Sequence, residues 1–217
     1  MTRLNLRSMI LLSVLLLMVV FHQVGCAVVG IRLTEEHPHE VLMTDGKYEI
    51  RDYEPAIIAR TEVDGSYDEV GRRGFRRLGG YIFGDNVEDE SIAMTAPVEM
   101  IPETESVEDE AINADRWTMT FVMPEGYTRD SLPDPTNSNV ILEETPRRLT
   151  AVVRFTGLLS DDDIDAHGPD LLAWVETQGY RPVSTLRLAG YDPPWTIPFL
   201  RRNEVQVDVE PIEDSAS

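Results

Sequence analysis

The sequence is poor in the residues from which catalytic and metal centres are usually built. Its 217 residues include one cysteine and four histidines, which excludes an internal disulfide and leaves no Cys/His cluster of the zinc-binding kind. A nucleophile elbow, a helical pair of zinc-binding histidines and a glycine-rich phosphate loop are also missing from it. We therefore predict no catalytic residues, and we expect that the protein is not an enzyme by itself.

Lysine is almost absent as well. Lys47 is the only lysine among 19 basic residues, which face 39 acidic ones and leave a formal net charge of -20. A chain this acidic lacks the cationic face that binding to a phosphate backbone requires, which argues against nucleic acid as a partner. Salt screens the self-repulsion of such a surface, so we interpret the composition as an adaptation to a salt-rich habitat.

The first 26 residues have the pattern of a secretory signal. Arg3 and Arg7 precede an apolar run, Met9 to Phe21, that is shorter than the about 20 residues of a bilayer span. The sequence QVGC resembles a lipobox ending at Cys26, although a lipobox usually has leucine where Gln23 stands. We predict an exported protein of the cell envelope or periplasm, anchored to the membrane by a lipid on Cys26. A signal without lipid and an uncleaved N-terminal anchor are the alternatives.

Beyond this signal the pattern predicts a tether over residues 27–45, a single domain over 46–210 and an acidic tail over 211–217. Alternating apolar residues indicate strands within the domain, as in Val205, Val207 and Val209. The predicted strands are 48–51, 56–63, 117–123, 140–143, 149–155, 184–189 and 205–209.

Two segments have helical periodicity instead. The first begins at Ser66, a plausible N-cap, and ends near the pair Gly79 and Gly80. Gly71 and Gly74 within it indicate close packing, because glycine costs roughly 1 kcal/mol in a helix interior. The second segment follows Ser160; its Gly168 and Pro169 predict a short turn and then a helix over 169–178. The order of elements predicts an α+β fold with two similar halves, an antiparallel sheet or distorted barrel flanked by two helices.

Several stretches resemble the SOUL haem-binding protein family, from about Val41 to Val209. They read IAMTAPV at 92–98, YDPPW at 191–195, FLRRNEV at 199–205, YEIR at 48–51 and GGYIFG at 79–84. The resemblance implies the same pseudo-symmetric fold. It also implies that a haem, held without a covalent bond, lies in an apolar cleft beside the first helix, with basic residues near its propionates.

The residues of the first helix suit such a ligand. Arg72 and Arg77 match basic residues of the family's helix, and Phe75 and Leu78 match its apolar wall. Arg72, Arg76 and Arg77 are the predicted propionate partners, because a flat apolar ligand with carboxylates needs an apolar wall and a cationic rim. Pairing of these arginines with the protein's own carboxylates is the alternative.

Met94 is a possible lining residue of the cleft, although packing in the core is the more ordinary role for it. For an iron ligand the weak candidate is His167, at the start of the second helix, where a capping or surface role is the alternative. His37 and His39 are read as part of a solvated linker. The segment 191–195 is expected to bury Trp195 at a chain reversal, and Arg201 and Arg202 are expected to contact nearby carboxylates.

The leading hypothesis is a non-catalytic carrier, buffer or sensor of haem or a related tetrapyrrole. One alternative is an effector- or protein-interaction module of the same fold that binds another amphipathic ligand without haem. A tetrapyrrole-modifying enzyme, for example one that removes iron from haem, is the third reading, and the sequence offers no acid, base or redox partner for it.

Overall fold

The computed structural model describes residues 34–104, 111 and 114–212, and these form a large curled sheet with two helices packed on one of its faces. The predicted signal segment and Cys26 lie outside the described residues. The helices are α1 (Tyr67–Ile82) and α2 (Asp162–Thr177). The strands are β1 (Glu35–Glu36), β2 (His39–Asp45), β3 (Tyr48–Tyr53), β4 (Ala56–Asp64), β5 (Thr95–Ala96), β6 (Val98–Pro102), β7 (Arg116–Val122), β8 (Ile141–Thr145), β9 (Arg148–Phe155), β10 (Tyr180–Pro182), β11 (Arg187–Gly190) and β12 (Asn203–Pro211).

The main sheet is built from two halves with the same topology. Its strand order is β2-β3-β9-β12-β11-β6-β7-β4-β8, and β10 pairs with β12. One half runs β4, α1, β6, β7 along the chain and the other runs β9, α2, β11, β12. The halves meet where β6 and β11 pair antiparallel, while β3 pairs with β9 and β8 with β4 on the outside. This confirms the predicted α+β fold with two pseudo-symmetric halves.

Alternation along the strands gives the sheet one apolar and one polar face. On β12 the side chains of Val205, Val207 and Val209 are buried in the core together with residues of α1 and α2. Their neighbours Glu204 and Gln206 point to the opposite face, as the period of two in a strand requires. Both of these polar residues are at most 1% exposed, so the second face is polar but is not in contact with water.

The polar face is held together by ion pairs around a fully buried arginine. Arg51 donates two parallel hydrogen bonds to the carboxylate of Glu204, both 2.9 Å long, and a third to Glu49 at 2.7 Å. Tyr191 also donates to Glu204, at 2.8 Å. A second cluster on the same face joins Arg187 to Asp208, Glu99 and, through them, Arg148. A buried charge is tolerated only when it is paired and hydrogen-bonded, and these charges are.

The prediction that residues 27–45 form a tether is wrong for residues 35–45, which pair with strands of the domain. Glu35–Glu36 pairs with β5, and His39–Asp45 pairs with β3 at the edge of the main sheet. Glu36 forms an ion pair with Arg202 at 2.9 Å, so the segment crosses the polar face of the curled sheet. The segment thereby covers charged groups that would otherwise be open to water. Residues 27–33 lie outside the described part of the chain.

The predicted break in the second helix is also wrong, because α2 continues through Gly168 and Pro169. A proline in a helix interior costs about 3 kcal/mol, and packing on both sides of it offsets that cost. A Cβ atom on Gly168 would lie 2.5 Å from the side chain of Leu186, so the glycine lets the helix approach the sheet closely. The buried residues before and after the proline are Ile164, Leu171, Trp174 and Val175.

At the C-terminal end, β12 reaches Pro211, so the predicted tail begins inside a strand. None of the helices in the described part of the chain is long and apolar enough to cross a membrane.

The two glycines of α1 differ in their surroundings, and this gives a matched test of packing. A Cβ atom on Gly74 would lie 3.1 Å from the sulfur of Met119, whereas nothing lies within 4 Å of the same position on Gly71. We expect Gly71→Ala to raise the free energy of unfolding by about 0.5–1 kcal/mol. Gly74→Ala should leave the free energy of unfolding unchanged or lower it, because the added methyl group would press on Met119. Urea unfolding of both variants measures this; equal stabilisation would contradict the close packing of Gly74.

The buried pair of Arg51 and Glu204 predicts a dependence of stability on acid. Although burial opposes ionisation, the hydrogen bonds and charges of Arg51 and Arg202 lower the pKa of Glu204 from its ordinary 4.5 to about 2. The carboxylate therefore stabilises the folded state above pH 4.5, and this contribution is lost as the pH falls from about 4.5 towards 2.

We expect Glu204→Gln to lower the free energy of unfolding at neutral pH by about 3–5 kcal/mol, because Arg51 and Arg202 lose the buried carboxylate that they share and Glu49 alone remains paired with Arg51. Urea unfolding between neutral and acidic pH measures both effects. Glu143→Gln is the matched control: Glu143 pairs with Arg60 but is 51% exposed, so its loss should cost less than about 1 kcal/mol. An equal cost in the two variants would refute the role of the buried pair.

Candidate ligand-binding face of the first helix

Helix α1 is a firmly held platform. Ser66 is its N-cap, as predicted, and forms a capping box in which the side chain of Glu69 accepts from the Ser66 N–H. At the other end the N–H of Phe83 donates to the carbonyls of Gly79 and Gly80. Val70 and Gly74 face the core, and Gly74 packs on Met119 of β7. The outward side of the helix is thus fixed relative to the sheet.

Four arginines occupy this outward side, and they divide into two pairs. Arg73 donates to the carbonyl of Asp64, and Arg77 donates to the carbonyl of Glu62 at 2.8 Å and to the hydroxyl of Thr61 at 3.2 Å. Both therefore lie over β4 and are already engaged with the protein.

Arg72 and Arg76 form the second pair, one turn apart on the exposed surface. Within the described residues no carboxylate oxygen lies within 4.0 Å of either guanidinium group. Ten other arginines of the described chain do form ion pairs with carboxylates. Pairing with the protein's own acids, the alternative considered from the sequence, therefore does not account for Arg72 and Arg76.

A flat apolar strip runs beside this pair. Phe75 is 41% exposed and packs edge-on against Phe121 of β7, with ring centres 5.5 Å apart. Phe83 is 63% exposed. The rings of Phe75 and Phe83 flank Gly79, where a Cβ atom would lie 3.5 Å from one ring and 3.8 Å from the other. Gly79 itself is buried beneath the rings, so the exposed apolar surface here is formed by Phe75 and Phe83.

Met94 belongs to the segment that passes the end of this strip. The N–H of Ile92 donates to the carbonyl of Ile82 at 2.8 Å, and the hydroxyl of Thr95 donates to the carbonyl of Val122. These bonds hold the segment between the end of α1 and the end of β7. Met94 is 37% exposed there, so packing in the core is not its role, and its flexible thioether is available to a ligand.

Two predicted site residues do not join this surface. Leu78 is 0% exposed and lies in the core, because it is on the side of α1 that faces the sheet. It therefore does not form an apolar wall with Phe75. Arg77 is held over β4 by Thr61 and Glu62, away from Arg72 and Arg76. The structure brings together Arg72, Phe75, Arg76 and Phe83, of which Phe83 was missed from the sequence, although it follows Phe75 and Gly79 at a spacing of four.

The histidines lie elsewhere in the fold. His167 is on α2, in the other half of the molecule, where its half-buried ring stacks on Phe155 at 4.5 Å and burial lowers its pKa. His37 is 4% exposed, which corrects the prediction of a solvated linker. Its ring and that of His39 lie 4.8 and 4.7 Å from the ring of Tyr53. Among the described residues no group of three or more His, Cys, Asp or Glu could hold a metal ion.

Two adjoining cavities lie near the start of β4, and His37 lines the smaller of them. The smaller, of 150 Å³, is bounded by His37, Glu54 and Met123 among others. The larger and more open one, of 510 Å³, adjoins it at Pro55, Ala56, Ile57 and Tyr127. No residue of α1 lines either cavity. The candidate site on α1 consists instead of side chains that are exposed at the surface, among them Phe75 and Phe83.

The segment 191–202 follows its prediction only in part. Tyr191 is buried and Arg202 pairs with Glu36 and Glu204, as expected for contacts with nearby carboxylates. Trp195 was expected to be buried but is 62% exposed. The two prolines before it hold the chain in a turn that points away from the core. Arg201 donates to the backbone carbonyls of the same turn rather than to a carboxylate.

Together, these features define an α+β domain of two pseudo-symmetric halves, with an exposed cationic and aromatic face on its first helix. The chain belongs to the SOUL heme-binding protein family, whose match covers residues 34–208. It is 28% identical to Heme-binding protein 1 of Xenopus laevis over 159 residues, which are 73% of this chain and 81% of the relative. It is 32% identical to Heme-binding protein 2 of Mus musculus over 124 residues, 57% of this chain and 58% of the relative.

Solved structures support the same fold. The C-terminal domain of EcmrR superposes with a TM-score of 0.57 at 16% identity, covering 76% of this chain and 97% of that domain. A conserved protein from Listeria innocua gives a TM-score of 0.58 at 15% identity, with 76% and 92% covered. A protein described as a hydrolase from Listeria innocua gives 0.52 at 14% identity, with 78% and 94% covered. At these identities the likeness concerns the fold alone.

The buried histidines predict a second pH dependence, at higher pH than that of Glu204. Burial disfavours the imidazolium and lowers the pKa of both His37 and His39 below their ordinary 6.5, and the charge of Arg148 adds to this at His37. The folded state then binds fewer protons than the unfolded state, so stability falls as the pH drops below 6.5.

We expect the free energy of unfolding to decrease between about pH 7 and pH 5, and the variant His37→Gln to show a smaller decrease. Urea unfolding as a function of pH measures it. The pKa of His167 is also lowered by burial, so His167→Gln measures the separate contribution of the other half of the fold. The same slope in wild type and His37→Gln would contradict the assignment.

Proposed function

We propose that this protein binds haem or a related tetrapyrrole on the outward face of α1, without a covalent bond and without catalysing a reaction. The observation that carries the proposal is the combination of Arg72 and Arg76, which have no carboxylate partner in the described chain, with the flat strip of Phe75 and Phe83. Membership of the SOUL family and the two heme-binding relatives support the same ligand class.

The residues present fit the two chemical parts of a tetrapyrrole. The macrocycle is flat and apolar, and Phe75 and Phe83 offer an exposed apolar surface of aromatic rings. The propionates are carboxylates, for which arginine is the preferred partner because two of its N–H groups can bond one carboxylate. In a protein with 39 acidic residues, leaving two arginines unpaired costs electrostatic stabilisation that a bound carboxylate would restore.

The role we propose is that of a carrier, buffer or sensor at the cell envelope. An exported position with a lipid on Cys26 is consistent with the signal-like pattern of residues 1–26. Incorporation of labelled palmitate by a bacterial host, in the wild type but not in Cys26→Ser, tests this part separately. Cleavage and secretion without label would replace the lipid anchor by an ordinary signal peptide.

The arginine pair is tested by titrating the purified protein with haemin and following the Soret band. We expect wild type to saturate at one equivalent. The double variant Arg72→Gln/Arg76→Gln should bind at least about 10-fold more weakly, since two charge-assisted hydrogen bonds are lost. The double variant Arg116→Gln/Arg129→Gln is the matched control: it loses the same charge, and both arginines are exposed.

Equal affinity in the two double variants would show that only overall charge matters and would remove the proposed site from α1. A broad haemin spectrum that never saturates in wild type would contradict haem as the ligand. The same face would then serve another flat, anionic, amphipathic molecule, which is the alternative of an effector module.

A further inference from the structure

Four large apolar side chains are exposed together at one end of the sheet. They belong to two loops, 156–161 after β9 and 191–202 between β11 and β12, and are Leu158 (67% exposed), Trp195 (62%), Phe199 (71%) and Leu200 (36%). The N–H of Gly157 donates to the carbonyl of Pro198 at 3.1 Å, and Asn203 donates to the carbonyl of Gly157 at 3.1 Å. The two loops therefore form one surface, which we call the aromatic end.

The aromatic end is rigid. The N–H of Tyr191 donates to the carbonyl of Arg202 and closes the base of the longer loop, and Thr196 donates to the carbonyl of Pro193 to form a turn at Trp195. The guanidinium of Arg201 braces the same turn through the carbonyls of Pro194 and Thr196. A loop held this firmly keeps its apolar side chains in water, although burying each would be worth about 1.5–3 kcal/mol.

The aromatic end also lies beside the point where the N-terminal segment reaches the domain. Arg202, the last residue of the longer loop, pairs with Glu36 of β1 at 2.9 Å. Eight residues, 27–34, lie between Cys26 and Glu35, and the nine Cα–Cα steps from one to the other span at most about 30 Å in an extended chain. An anchor at or before Cys26 therefore keeps this end of the domain close to the bilayer.

The charges around the aromatic end are mixed: the shorter loop ends in Asp161, next to Asp162 and Asp163 of α2, whereas the longer loop carries Arg201 and Arg202. Glu36 is paired with Arg202, and Asp192 accepts a hydrogen bond from the Arg202 N–H at 2.7 Å. Arg201 has no carboxylate partner among the described residues, and it lies next to Phe199 and Leu200. Tryptophan and arginine are typical of the interface between headgroups and acyl chains.

We propose that the aromatic end inserts into the headgroup region of the membrane to which the protein is anchored. This inference rests on the proposed membrane anchorage, and not on the identity of the ligand. The occupant is a zwitterionic lipid surface, because the acidic domain would be repelled by an anionic one. Insertion of Trp195, Phe199 and Leu158 orients the domain, which an anchor at the N-terminus alone leaves free to rotate.

The orientation has a consequence for the ligand-binding face. Phe121 of β7, which packs against Phe75, lies opposite Val98 of β6. Val98 lies opposite Gly190 of β11, and Gly190 lies opposite Asn203 of β12, at the base of the aromatic end. Three strand spacings of about 4.8 Å separate Phe121 from Asn203. The docked domain therefore holds the face of α1 within a short distance of the bilayer, where an amphipathic ligand partitions.

The emission of Trp195 provides a direct test. The chain has three tryptophans, and Trp117 and Trp174 are at most 8% exposed, so lipid-dependent changes report on Trp195. The full chain is reconstituted in phosphatidylcholine vesicles, with or without lipids brominated at the headgroup end of the acyl chains, and flotation measures anchorage in parallel. We expect flotation and quenching of the emission by brominated lipid, and loss of this quenching in Trp195→Phe.

The variant Phe199→Ser should float like wild type but show weaker quenching. Val183→Ser is the matched control: Val183 is also exposed, at 53%, but its N–H donates to the carbonyl of Asp208, towards the far end of β12. Its quenching should equal that of wild type.

Flotation without quenching would overturn the docking and leave the anchorage standing, and a chain that neither floats nor is quenched would overturn both. A blue shift of Trp195 emission that follows protein concentration and not lipid would assign the aromatic end to a second copy of the chain, which also refutes the proposal.

Discussion

The buried charge of Arg51 is the constraint on which the rest of the structure depends. A sheet with helices on one face normally leaves its other face to water, but here that face carries Arg51 and Glu204, both 0% exposed. Such charges are stable away from water only if every one is paired. The pairing requires β3 and β12 to be held in fixed register through β9. It also requires the segment with Glu36 and His37 to close over the face. The curl of the sheet and the course of the N-terminal segment therefore both keep these buried charges paired and shielded from water.

The two halves share a topology but have diverged in chemistry. Each helix approaches the sheet through a glycine, Gly74 on Met119 in one half and Gly168 on Leu186 in the other. Only α1 carries a block of arginines and leaves Phe75 exposed, whereas α2 contains neither arginine nor lysine and buries Trp174. Duplicated packing gives the fold its rigidity, and the difference between the outward helix faces places the proposed function on one half. The proposed insertion of the aromatic end would orient the domain relative to the membrane.

Sequence reasoning succeeded where periodicity and local chemistry decide the outcome. The N-cap at Ser66, the two-half arrangement and seven strands (β3, β4, β7, β8, β9, β11 and β12) follow from alternation, helical spacing and element order, which a linear sequence displays. It failed where a long-range contact reverses a local preference. Pro169 breaks helices in general, but here the core holds both sides of it. Residues 35–45 have the polarity of a linker, yet they pair as strands across a charged face that only the folded chain contains.

The candidate site likewise combines features that the sequence displays with features that only the folded chain decides. The sequence alone determined that α1 combines arginines with aromatic residues and which family motifs the chain carries. Only the tertiary structure decided which side chains face outward: Leu78 turned into the core, Arg77 was tied to β4, and Phe83 joined Phe75 across Gly79. The physical reason is that helical spacing fixes which residues share a face, whereas the neighbouring strands determine which face is buried and which charges are left unpaired.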